Sequence, residues 1–337
     1  MKHILIGLVG LLLFFSCSEV EYKFTELSGS YLGQTPPDTL PELFAPGIVN
    51  SAAFTRDFAM TPDGDEIYYS IVLGNFKKSA ILFTKQINGK WTKPEVADFS
   101  RDFRYEHIEP FISHDGSKFL FVSDKPVNTI SKAKDDFDIW VMDRLDGSWS
   151  EPYNLGAPVN TGDSEFFPTL TKTNTLYFTR QPINERVNYI LRSKHDGGNY
   201  GEPEMLGPNV NAGRSRFNAF VDPDEEYLII PIVGIADSFG GTDYYISFRS
   251  IADEWSEPIN LGGNINTRFG MEYVPYVSPD KKYFFFLSFR ESEEKIDELS
   301  YSLLVGLNQT PGGVNPAMYW VDAKFINELR PEGFYRK

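Results

Sequence analysis

The sequence predicts an all-β protein, a five-bladed β-propeller of four-stranded blades, on three observations. Turn signals recur at a near-constant interval, and an aromatic or β-branched strand follows each one. The two ends of the chain also hold complementary parts of one repeat. Composition agrees, since 15% of the 337 residues are aromatic and 27 Gly and 22 Pro separate many short strands.

The turns come first. Thr61-Pro-Asp-Gly, Ser113-His-Asp-Gly, Thr171-Lys-Thr-Asn, Asp222-Pro-Asp-Glu and Ser278-Pro-Asp-Lys stand 52, 58, 51 and 56 residues apart. Pro presets φ in such a turn, and Asp, Asn and Gly tolerate positive φ. The runs that follow are Ile67–Ile71, Phe119–Val122, Leu176–Phe178, Tyr227–Ile230 and Tyr283–Leu287. Their consecutive apolar positions suit strands buried on both faces, as between stacked sheets. Thr171-Lys-Thr-Asn departs from the pattern, so a local difference is expected in that hairpin.

A second register follows each unit. Trp91-Thr-Lys-Pro, Trp149-Ser-Glu-Pro, Tyr200-Gly-Glu-Pro and Trp255-Ser-Glu-Pro read as outermost strands, because Pro cannot donate to a ladder. Leu155-Gly-Ala-Pro-Val-Asn, Leu206-Gly-Pro-Asn-Val-Asn and Leu261-Gly-Gly-Asn-Ile-Asn then lead to the next unit. The fifth unit stops after Met318-Tyr-Trp-Val-Asp, and its missing piece lies at the other end, in Leu43-Phe-Ala-Pro-Gly-Ile-Val-Asn50. The N-terminal strand (about 43–50) is therefore expected to complete the last blade and close the ring. An open solenoid would not need complementary ends.

These turns, strands and Trp-x-x-Pro…Leu-Gly…Asn links resemble the WD40-like, TolB-type propeller repeats (PD40) of bacterial envelope proteins. The resemblance covers roughly residues 38–330 and implies fold rather than function, since such propellers serve many roles.

The N-terminus is a separate object. Lys2 and His3 precede an unbroken apolar run, Ile4–Phe15, which is shorter than the roughly 20 residues of a membrane span and reads as a signal peptide. It ends at Cys17, the only cysteine of the chain. That placement resembles the lipobox of a bacterial lipoprotein, in which the Cys carries the lipid. With the repeats, it resembles the lipoproteins of Bacteroidetes-type bacteria. An ordinary secretory signal with an incidental Cys is the alternative. The expected organisation is signal peptide 1–17, tether 18–37, propeller 38–330 and tail 331–337, in an outer-membrane lipoprotein on its periplasmic or outer side. The membrane is reached through the lipid anchor at Cys17.

A net charge of −15 with no basic stripe would repel a phosphate backbone, so nucleic acid is not an expected partner. No Gly-rich phosphate loop follows a strand, and His3, His107, His114 and His195 are not spaced as a metal site. No cofactor or metal is expected.

In a propeller the first strand of each blade lines a central channel. Six residues before each turn stand Thr55, His107, Glu165, Arg216 and Glu272, and two further on stand Asp57, Glu109, Phe167, Asn218 and Val274. His107, Glu109, Glu165, Arg216, Glu272 and Asp57 form the candidate ligand ring. A structural reading stands beside it, in which Glu165 and Glu272 accept backbone N–H bonds where blades meet. A third reading pairs channel carboxylates as the acid and base of a glycosidase.

Between its second and third strands, blade five spends Phe289–Ala317 where blade two needs only Asp124–Asp138. Loops this long usually carry function or structure of their own. An extra strand, a cap on the channel and a surface excursion all fit the insert.

The reading is a non-catalytic binding or scaffold module for an envelope protein or glycan. The alternatives are a glycoside-processing enzyme and a structural subunit that binds through blade faces.

Overall fold

The computed structural model describes residues 24–74, 76–127, 133–290, 298–313 and 315–334. Five small antiparallel sheets follow one another as blades. Blade one comprises Phe54–Met60, Glu66–Leu73, Lys78–Ile87 and Glu95–Val96. Blade two comprises His107–Ile112, Lys118–Ser123, Asp138–Leu145 and Tyr153–Asn154, and blade three Ser164–Leu170, Leu176–Gln181, Tyr189–Ser193 and Glu204–Met205. In blade four the inner strand is split into Ser215–Arg216 and Phe220–Val221, followed by Tyr227–Val233, Thr242–Phe248 and Ile259–Asn260.

Blade five closes the ring. Tyr276–Val277, Tyr283–Ser288 and Ala317–Asp322 are joined by Glu42–Leu43, which pairs antiparallel with Trp320 and Tyr319. The closing strand is shorter and earlier than 43–50, because residues 45–50 fold into a turn that Asn50 locks. The Asn50 side chain donates to the carbonyls of Phe44 and Met318 and accepts the Met318 N–H. Asn160, Asn211 and Asn266 hold the N–H and C=O of Ile139, Ile190 and Tyr244 in the same way. The Asn that ends each Leu-Gly…Asn link is thus a clip on the third strand of its blade.

The turn residues act as their chemistry suggests. Thr61, Ser113 and Ser278 accept, through their hydroxyls, the N–H groups of Glu66, Lys118 and Tyr283. Thr171 closes one residue sooner, on Thr175, which is the local difference expected there. The Trp-x-x-Pro element is split. Trp149 extends the third strand as a hairpin opposite Arg144, Pro152 falls in the gap, and the outermost strand proper is Tyr153–Asn154.

Residues 27–34 fall in the stretch expected as tether, yet they pack on the propeller. Trp91 donates its backbone N–H to Leu27 and its indole N–H to Gly29, and Tyr31 packs on Tyr283, Phe285 and Trp320. An aromatic seam explains that docking. Cys17 and the rest of 1–23 lie outside the described residues, as do residues 335–337 of the tail. In the insert, Tyr301–Gln309 is an α-helix capped by Ser300, with no buried side chain. Among the described residues, no helix is long and apolar enough to cross a membrane.

Candidate functional site

The two mouths of the channel differ. At the turn end, Met60, Phe111, Leu170, Phe220 and Tyr276, one from each blade, pack together and leave a gap of only about 30 Å³. The opposite mouth opens into a crater of about 560 Å³. All five blades supply its wall, through Arg56, Ile108 and Phe166 of the inner strands, Phe217 in the break of the fourth, and Tyr273 just before the fifth. Phe76 and Phe137 also line it. The crater is therefore blind.

Its floor is set by an irregularity in the inner strands. Asp57, Glu109, Phe167 and Asn218 are non-glycine residues with φ of 61°, 57°, 48° and 51°. Pairing shifts register around the first three, and Asn218 occupies the break in the inner strand of blade four. Left-handed backbone at such residues is costly and is concentrated at functional sites. Its effect is to turn an N–H toward the preceding blade. The Glu109 N–H donates to Asp57 Oδ2 at 3.0 Å, and the Phe167 N–H donates to Glu109 Oε2 at 2.6 Å.

Arg56 ties the floor together. Its Nε donates to Asp57 Oδ1 and its Nη2 to Glu109 Oε1, both at 2.8 Å, while Asn218 Nδ2 reaches Glu109 Oε1 at 3.2 Å. Nη1 of Arg56 has no hydrogen-bond partner among the described residues. Burial pushes the Glu109 carboxyl up to about 7, against the pull of Arg56. Glu106, half-buried on the same wall, is also raised, by burial and by the charge of Asp124.

The candidate ring divides between two places. Glu109 lies in the crater, and Asp57 lies beneath it, bonded to Arg56 and to the Glu109 N–H. Glu165, Glu272, Arg216 and His107 are buried away from it. Glu165 accepts from the Thr161 N–H and hydroxyl and from Arg180, and Glu272 from Thr267 and Ser288. Arg216 donates to the carbonyls of Ala212, Gly213 and Asn188. These three side chains brace the connectors between blades. His107 packs among Phe99 and Phe121 with neither ring nitrogen hydrogen-bonded, and burial pushes its pKa down to about 4.

Side chains alternate along a strand, so the residues that line the wall are those one position later: Arg56, Ile108, Phe166, Phe217 and Tyr273. Period-two alternation was the available signal for Arg56. It was masked because the equivalent positions of the other blades, Ile108, Phe166, Phe217 and Tyr273, are aromatic or aliphatic and resemble core. Among the described residues, no group of three or more His, Cys, Asp or Glu is arranged to hold a metal ion.

Fold and site together define a five-bladed propeller with one plugged mouth and one blind, polar-floored crater. No protein-family model and no curated protein matches the chain. Among solved structures it is similar to TolB from Acinetobacter baumannii, at 14% identity and a TM-score of 0.45 over 80% of this chain; it spans 57% of the length of that TolB. It is also similar to the arabinanase Arb43A of Bacillus subtilis, at 11% identity and TM-score 0.44 over 81% of this chain and 95% of that one. An α-L-arabinofuranosidase from Lactobacillus brevis gives 11% identity and TM-score 0.46 over 86% and 98% of the two chains. Function has to be argued from the site.

Proposed function

We propose that this protein is an exported, lipid-anchored recognition module that takes an envelope protein or glycan at the open crater without chemically altering it. The supporting observation is the state of the floor carboxylates. Both oxygens of Asp57 and both of Glu109 already accept hydrogen bonds from Arg56, Asn218 and two backbone N–H groups. A hydrolytic pair needs one carboxylic acid free to protonate a leaving group and one carboxylate free to activate water or attack. A floor bonded to itself is instead a rigid surface with donors and acceptors, set below aromatic walls, as binding pockets are built. Export and the anchor rest on the apolar run before Cys17.

Glycoside processing is the second reading, and one observation favours it. Glu109, raised to about 7, has the acidity of a catalytic acid.

Retention of the full chain on immobilised envelope polysaccharides and envelope proteins, in wild type and in Tyr273→Ala and Asn218→Ala, tests the site. The proposal expects retention that both substitutions weaken. Retention indifferent to both would remove the crater from the account.

A further inference from the structure

Arg56 is the cation of the crater floor, and its hydrogen bonds leave one end of it open. The edge formed by Nε and Nη2 is bonded to Asp57 and Glu109. The end formed by Nη1 and the second Nη2 hydrogen has no partner among the described residues. Such an end is a planar fork of two donors, the shape that meets a carboxylate with two parallel hydrogen bonds. Arg56 is only 7% exposed, its Nη1 is not sealed from solvent, and its guanidinium carbon stands 5.7 Å from the ring centroid of Phe76 on the crater wall. The fork therefore faces the crater. The oxygens of Asp57 and Glu109 already accept from N–H donors, so the floor holds no carboxylate free for an ammonium group. Around the fork stand the rings of Phe76, Phe137, Phe166, Phe217 and Tyr273. The side-chain amides of Gln181 and Asn188 and the Oδ1 of Asn218 are unbonded among the described residues.

We propose that the crater takes the end of an acidic glycan, with a sugar carboxylate on the open fork of Arg56 and the sugar ring among the aromatic side chains. This rests on the recognition reading above and names the class of ligand. The crater is blind, so it admits the end of a chain rather than a segment running through. The fork selects a planar oxyanion, since a neutral hydroxyl leaves one donor unmet and an ammonium group meets only donors. Hydroxyls both donate and accept, as the unbonded amides of Gln181, Asn188 and Asn218 require, whereas a peptide C-terminus brings a carboxylate without hydroxyls. Charge is the obstacle, because a third carboxylate beside Arg56 is repelled by Asp57 and Glu109 while both are ionised. Glu109, raised to about 7 by burial, is the one ready to be neutral. The charged groups facing it are Arg56 and Asp57 of blade one; blade three offers it the Phe167 N–H and blade four the Asn218 amide. Glu106, also raised, and the Tyr273 phenol complete the titratable groups of the wall among the described residues. A carboxylate that enters together with one proton from solvent leaves the net charge of the floor unchanged.

The test measures, by calorimetry on the full chain in detergent, binding of D-glucuronate and D-galacturonate beside glucose, galactose, glucosamine and acetyl-trialanine with a free C-terminus. Expected is uronate binding about tenfold tighter than that of the other four, and lost in Tyr273→Ala. Arg56→Lys keeps a charge beside Asp57 and Glu109 but removes the fork, so uronate binding should fall to the level of the neutral sugars. Should that variant not fold, the pH profile of the wild type decides. Uronate affinity should be constant below about pH 7 and fall about tenfold per unit above it, with a flat profile in Glu109→Gln. Equal binding of neutral sugars, tighter binding of glucosamine or of the tripeptide, uronate binding undiminished in Tyr273→Ala, or a pH-independent wild type would each overturn the proposal. If the uronates do not bind while retention of envelope material still depends on Tyr273 and Asn218, crater recognition stands and the acidic glycan end is wrong. If that retention is indifferent to both residues, the recognition reading fails as well.

Discussion

The Phe167 N–H donates to the Glu109 carboxylate at 2.6 Å, across the boundary between blades two and three. That bond exists because Phe167 holds a φ of 48°, and it consumes an oxygen that a hydrolase would need free. Glu109 is therefore the residue on which the binding and catalytic readings divide. Glu109→Gln keeps an acceptor for Phe167 and eliminates a buried carboxyl pushed up to about 7, but turns its NH2 toward the Arg56 and Asn218 donors. The first effect should make its thermal midpoint less dependent on pH between 5 and 8 than that of wild type, and the second should lower it, as read by calorimetry.

Ring closure depends on Asn50. Its side chain makes three hydrogen bonds, two of them to the N–H and C=O of Met318 in the last blade. Asn50→Ala strands buried backbone groups and should cost about 2–3 kcal/mol in denaturant unfolding. Limited proteolysis of this variant should cut first between residues 24 and 50.

How far the sequence carried is clearest at this closure. The likeness of Leu43–Asn50 to Leu155–Asn160 was enough to join the chain ends, because blades two to five share the same Asn clip, while blade one uses the Ser100 hydroxyl on Ile81 instead. The pairing strand itself, Glu42–Leu43, is two residues of generic character and left no signal. The site was legible only in part. Asp57 and Glu109, chosen by register, lie at the crater floor, whereas Glu165 and Glu272 share a motif with each other because they brace equivalent connectors. Which side of an inner strand faces the channel depends on a bulge, and a bulge is a backbone event that composition does not report.

His107 gives a prediction of opposite sign. Its pKa falls from 6.5 to about 4 on folding, so its contribution to stability is complete above pH 6.5 and is lost as pH falls through 4. His107→Phe suits the pocket formed by Phe99 and Phe121 and removes two unbonded ring nitrogens. The variant should gain about 1 kcal/mol at neutral pH and show a flatter acid limb in unfolding scans.

Burial raises Glu165 and Glu272 from 4.5 to about 7. A carboxyl raised in this way favours the fold when protonated; that stability is complete below pH 4.5 and is lost as pH rises through 7. Between pH 5 and 8 the wild-type midpoint should decline, with a shallower decline in Glu272→Gln than in wild type. A decline of the same slope in both would show that Glu272 does not titrate in this range.

The most direct test of a binding role sets retention against turnover. The full chain in detergent is incubated with a panel of plant, host and bacterial polysaccharides and with solubilised envelope protein, and retained ligand and newly formed reducing ends are measured together. The account predicts retention of a ligand, weakened by Tyr273→Ala, with no reducing ends above the protein-free control. Reducing ends that accumulate with wild type and vanish in Glu109→Gln would contradict it and make the crater a glycosidase site.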